Sequence, residues 1–123
     1  MKRIISVRGA ITVKENNIPD IKEATLQLLN NIFKDNHLNE SEIINIIFTV
    51  TDDIDAINPA TITREDLRIQ NTPLVCVQEM KVKNGLKKCI RVLMQAYSNS
   101  TKENVKHIYL GEAANLRPDL TDV

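Results

Sequence analysis

The sequence predicts an α+β fold, a mixed β-sheet with helices packed on one face, and three observations carry that prediction. Hydrophobic residues switch between a period of two and a helical period in the order β-α-β-α-β-β-β. Apolar residues make up 42% and charged residues 26% of the chain, a globular balance that excludes disordered and fibrous classes. The length, 123 residues, fits a single domain spanning residues 1–123. A sheet this small leaves edges and one face uncovered, and symmetric self-association is a common remedy, so a homo-oligomer is expected.

Each element has its own signal. Ile4 to Val13 reads as a strand interrupted at Arg8-Gly9-Ala10, where the chain bends or something approaches the Gly9 backbone. From Asn17 the period changes: Pro19 suits a first helical turn and Asp20 its positive end. Ile21, Thr25, Leu28, Leu29, Ile32 and Phe33 then share one face of a helix ending near Asn36. Asn39-Glu40-Ser41-Glu42 offers a capping-box start for one helical turn, and Asn45 to Thr51 reads as a mostly buried strand. Asn58-Pro59 opens a second helix to about Leu67. Asn71-Thr72-Pro73 introduces a strand from Leu74 to Val82, which Lys83-Asn84-Gly85 turns into a hairpin with Cys89 to Ser98. In that last strand Ile90, Val92, Met94 and Ala96 form one row and Cys89, Arg91, Leu93, Gln95 and Tyr97 the other. A short strand around Val105 to Leu110 and an irregular tail complete the chain.

Composition narrows the function. Sixteen basic residues balance sixteen acidic ones, so there is no electrostatic footprint for nucleic acid or an anionic membrane. Aromatics are only 3%, too few for stacking platforms. Cys76 and Cys89 lack metal-site or CxxC spacing, and His37 and His107 lie far from both, so no metal or cofactor is expected. The N-terminus has no signal-peptide pattern, and no run approaches the ~18 apolar residues of a membrane span. A cytoplasmic protein with reduced thiols and a small-molecule ligand is the reading.

The informative feature is arginine placement. Of six arginines, Arg8 and Arg91 fall inside strands, Arg64 sits on a short helix beside aliphatic residues, and Arg117 lies between Leu116 and Pro118. Arginine stays protonated and offers forked donors, so several aimed at one cavity form a receptor for a compact multi-anion. For one arginine alone, a solvated charge is the plainer reading; two within strands argue against it. Glu79 and Tyr109 are also candidates, although a Glu beside an Arg is often a simple ion pair and a strand Tyr is often core. Cys76 reads as a small hydrophobe rather than a nucleophile. With Gly85 in the left-handed bulge position of a three-residue loop, Val82 pairs with Leu86, and Glu79 and Arg91 become diagonal neighbours on one face. Cys76 then falls on the other face unless the strand bends, so any contact it makes with the site is expected to come mainly from its backbone.

RGAITV, NPATITRE, CVQEM followed by GLKKCIRV, and HIYL with LRPDL together resemble the monofunctional AroH-class chorismate mutases, in the right order and over nearly the whole chain. The resemblance implies a trimeric pseudo α/β barrel with active sites in clefts between subunits, converting chorismate to prephenate in aromatic amino-acid biosynthesis. It implies catalytic roles for Arg8, Glu79 and Arg91, with Tyr109 beside them in substrate binding. Arg64, Cys76 and Arg117 match its supporting set, and Ala60, Leu74, Val75 and Leu116 match positions that shape the cleft. Asn58 stands where the family often has an aromatic residue, and Thr61 where it often has a lysine. A [3,3] rearrangement needs no nucleophile or metal, only a held conformer and a cation for the developing charge on the ether oxygen, which suits this inventory. Two alternatives share the architecture: a trimeric small-anion binding or regulatory module, and an imine-deaminase-like protein. The tail from Leu116 to Leu120 is expected to be mobile until Arg117 meets a ligand.

Overall fold

A computed structural model describes residues 2–115. Among these residues five strands form one sheet: β1 (Arg3–Thr12), β2 (Ile43–Val50), β3 (Leu74–Gln78), β4 (Cys89–Ser98) and β5 (Ile108–Leu110), in the order β3-β2-β4-β1-β5. Helices α1 (Ile18–Asp35) and α2 (Pro59–Asp66) are the two longer helices, and they pack against one another. No helix among the described residues is long and apolar enough to cross a membrane.

β4 lies at the centre because its period-two pattern is the longest without Pro or Gly, so both of its edges can be paired. It runs antiparallel to β1, in unbroken register from Arg3↔Ser98 to Thr12↔Cys89, and antiparallel to β2. β5 is parallel to β1, and β3 is parallel to β2 across the α2 connection. Ile90, Val92, Met94 and Ala96 are buried in the helix-side core with Val7, Ile46 and Phe48, while Leu93 and Tyr97 are exposed on the other face. The two-row reading of this strand holds.

Asn17 caps α1, its Oδ1 accepting from the Asp20 amide at 2.8 Å, and Ile21, Leu28, Leu29 and Ile32 are buried. At the other end the Asn36 side-chain amide donates to Ile32 O at 3.0 Å and Lys106 O at 2.9 Å, while its Oδ1 accepts from the Lys106 amide at 2.8 Å. One buried amide thus ties the approach to β5 onto the end of α1. Asn58 caps α2, its Oδ1 accepting from the Ala60 amide at 2.8 Å. That role is open to Asn and closed to an aromatic residue.

At Gly9 the ladder continues without a bulge, so the close-approach half of that expectation is what occurs. A Cβ there would lie 2.9 Å from Ile108 O and 3.1 Å from the Ile32 and Leu28 Cδ1 atoms. Glycine lets α1 and β5 close onto β1 beside Arg8.

The hairpin expectation is overturned. β3 ends at Gln78 rather than Val82, and β2 lies between β3 and β4, so the two never pair. Gly85 N does donate to Val82 O at 2.9 Å, closing a turn, but Asn84 rather than Gly85 takes the positive φ, +63°. The turn belongs to a long excursion past the end of β2, because the apolar row Ile43 to Val50 outcompetes β3 for the centre.

Candidate active site

The face away from the helices carries the charged side chains. Cross-strand pairing places Val77, Thr49, Arg91, Ala10 and Tyr109 in one row from β3 to β5. The next row holds Val75, Ile47, Leu93 and Arg8. Side chains in adjacent strands of a row stand about 5 Å apart, so this register sets the site. Ala10, fully buried between Arg91 and Tyr109, supplies only a methyl group and leaves space above it.

Arg91 is the centre. Its Nε donates to both Glu79 carboxylate oxygens, at 3.1 and 3.2 Å. Among the described residues neither terminal amino group has a hydrogen-bond partner, which leaves a fork of donors available to an anion. Glu79 follows the last residue of β3, its amide donating to Val50 O at 2.9 Å, and its carboxylate also accepts from the Thr49 hydroxyl at 3.0 Å. The expected proximity of Glu79 and Arg91 on one face is therefore observed, reached across β2 rather than around a hairpin.

Two clefts meet at Arg91. One, about 310 Å³, is lined by Arg8, Ala10, Ile47, Thr49, Arg91 and Tyr109. The other, about 580 Å³, runs from Glu79 and Arg91 past Asp53 along the 80–87 loop. Arg8 is exposed, its backbone amide donating to His107 Nδ1 at 3.0 Å. Tyr109 is 7% exposed and packs with Ala10, Cys89 and Ala113, so it is both a core residue and a wall of the cleft.

The entry of β4 is held by residues the motif reading passed over. The Asp53 carboxylate accepts from the Lys88 amide at 3.0 and 2.9 Å and from the Thr51 hydroxyl, while Thr51 Oγ1 accepts from the Cys89 amide at 2.9 Å. Lys88 has φ +48°, a left-handed conformation that a non-glycine residue keeps only when held. Burial pushes the Asp53 carboxyl up, but the Thr51 and Lys88 hydrogen bonds and the Lys88 charge together bring it below its ordinary range. The signal in the sequence was Thr51-x-Asp53, a short polar side-chain pair directly after a strand.

The remaining predicted positions lie elsewhere on the chain. Arg64 is exposed on α2, which packs against α1 and β3, and it lines neither cleft. Ala60 is buried on α2; Leu74 and Cys76 pack against the helix-side core, and Val75 is exposed on the opposite face. Burial raises the thiol pKa of Cys76 and pushes that of Cys89 up to about 11, so both are held protonated, as suits packing residues. Leu116 and Arg117 lie outside the described residues, as does the tail to Leu120. No group of three or more His, Cys, Asp or Glu among the described residues could hold a metal ion.

Comparison with known proteins gives a consistent result. AroH chorismate mutases of Bacillus subtilis and Thermus thermophilus are 38% and 37% identical to this chain, over 96% and 93% of it and 93% of each relative. A solved chorismate mutase from Clostridium thermocellum superposes with a TM-score of 0.86 at 41% identity, covering 89% of this chain and 97% of that one. The family model for chorismate mutase type I matches residues 4–120, and the chain belongs to that family.

Proposed function

We propose that this protein rearranges chorismate to prephenate at the Arg8–Arg91–Tyr109 cleft, without cofactor or covalent intermediate. The observation that carries the reading is the state of Arg91: Nε is fixed by Glu79, and the residue lines a cleft shared with Arg8 and Tyr109. In the rearrangement a C–O bond breaks as a C–C bond forms, and negative charge grows on the ether oxygen. A guanidinium already held in place stabilises that charge with no reorganisation cost at the moment of reaction. Arg91 faces the ether oxygen and one carboxylate, Arg8 and Tyr109 hold the carboxylates, and Glu79 accepts from the substrate hydroxyl. Together they keep the flexible dianion folded for reaction.

The working unit is a homotrimer. Cys76 and Leu74 face the helix side of β3 while Glu79 is bonded to Arg91 across the open face, so one chain presents the two halves of the site in different places. Such half-sites combine head to tail, and head-to-tail contacts close into rings. The neighbour's Arg64 with Ala60, Leu74, Val75 and Cys76 completes the cleft, and Leu116 and Arg117 belong to its rim. The exposed row of Ile4, Ile47, Val75, Val77, Leu93 and Tyr97 is the surface such an assembly covers. The protein acts in the cytoplasm, in aromatic amino-acid biosynthesis, and forms a single domain. Incubating it with chorismate and following prephenate formation tests the reading; rates equal to the uncatalysed background would overturn it.

A further inference from the structure

Thr49 lines the smaller cleft, opposite Arg91 in the β2–β4 ladder and opposite Val77 in the β2–β3 ladder. It is a hydroxyl residue on the open face of an otherwise largely apolar strand, and that hydroxyl donates to Glu79 Oε1 at 3.0 Å. The same oxygen accepts from Arg91 Nε at 3.1 Å. Oε1 is thereby filled by two donors, whereas among the described residues Oε2 accepts only the longer 3.2 Å branch from Nε. A carboxylate oxygen has about two lone-pair sites, so Oε2 keeps one free.

We propose that Thr49 is a positioning residue for the reaction. By saturating Glu79 Oε1 it fixes the carboxylate plane, commits Oε2 to the substrate hydroxyl, and holds Nε of Arg91 so that only the terminal amino groups meet the substrate. Without the hydroxyl the carboxylate is held, among the described residues, by Arg91 alone, and the pair can turn together about the Glu79 and Arg91 side-chain bonds. Preorganisation is then lost where charge develops in the transition state, so turnover falls more than ground-state binding. This inference rests on the proposed reaction.

Thr49→Val keeps the β-branched shape and removes only the donor, while Thr49→Ser keeps the donor and removes a methyl group. With chorismate as substrate, kcat of Thr49→Val should fall about 5- to 20-fold with KM changed less than threefold, the range expected for a hydrogen bond that orients a charged group. Thr49→Ser should stay within twofold of the parent. In a Glu79→Ala background Thr49→Val should change kcat by less than twofold, because the route through Glu79 is already gone. Unchanged kcat in Thr49→Val, an equal loss in Thr49→Ser, or a full loss persisting without Glu79 would each overturn the role of Thr49. Absence of turnover in the parent protein would instead overturn the reaction on which it rests.

Discussion

In the proposed reaction Arg91 is where charge and geometry coincide, and its replacement separates electrostatic stabilisation from simple binding. Arg91→Ala should lower kcat by about a hundredfold or more, the ~3 kcal/mol typical of losing one preorganised oxyanion donor. Arg91→Lys should also be severe, because an ammonium cannot bond Glu79 through one nitrogen and face the ether oxygen with two others. Steady-state kinetics with circular dichroism as a folding control check both; near-normal kcat in Arg91→Lys would reduce Arg91 to a binding cation. Arg8 and Arg91 were legible because charged groups inside strands stand out against alternation, whereas Glu79 and Tyr109, as readily an ion pair and a core residue, were singled out through the family motifs. Thr49 was not singled out, since a threonine in a strand is ordinary and its importance depends on Glu79 arriving from just past the end of β3.

At the scale of elements, the chain's local signals gave β1, α1, α2 and β4 nearly to the residue, and misplaced β3. Alternation survives tertiary context where one face is buried. Asn84-Gly85 is a true turn signal, but no local pattern reveals that β2 slips between the strands flanking it. The edge strand β3 stops early because Gln78 and Glu79 leave the apolar row. The entry to β4, in turn, depends on Asp53. Asp53→Ala leaves the Lys88 amide without its carboxylate acceptor and should cost about 2 kcal/mol of stability at neutral pH, read from denaturant melts. The folded carboxyl lies below its ordinary pKa of about 3.9. Its contribution is therefore complete above that value and disappears as pH falls through the lower folded pKa. The stability gap between the parent and Asp53→Asn should stay level from about pH 8 to 5 and close as the pH falls below the ordinary carboxylate range. A gap that widens on acidification contradicts this assignment. At β1, Gly9→Ala should destabilise by about 2 kcal/mol, because the new methyl meets the Ile108 carbonyl and the α1 side chains, and KM should rise as Arg8 shifts. A fully stable Gly9→Ala variant would show that β5 can retreat.

For the whole molecule, the question is whether one chain supplies a complete site. Arg91 and Glu79 stand on the open face of the sheet, and Arg64 stands on α2, which packs against α1 and β3. If the two halves meet only between neighbours, each cleft draws Arg91 from one chain and Arg64 from the next. Arg91→Ala trimers should be inactive for want of turnover, and Arg64→Ala trimers weak for want of binding. Co-refolding the two in equal amounts creates clefts in which the Arg64→Ala chain contributes Arg91 and the Arg91→Ala chain contributes Arg64. Random assembly in a ring makes about one cleft in four intact, so kcat/KM should recover to about a quarter of the parent value. Mixing without unfolding should recover less, since buried apolar interfaces exchange slowly. If both residues served a cleft from the same chain, every cleft would carry one defect and co-refolding would restore nothing. Recovery near a quarter, with a trimeric mass by light scattering, supports the shared site; additive activity of the two variants alone removes it.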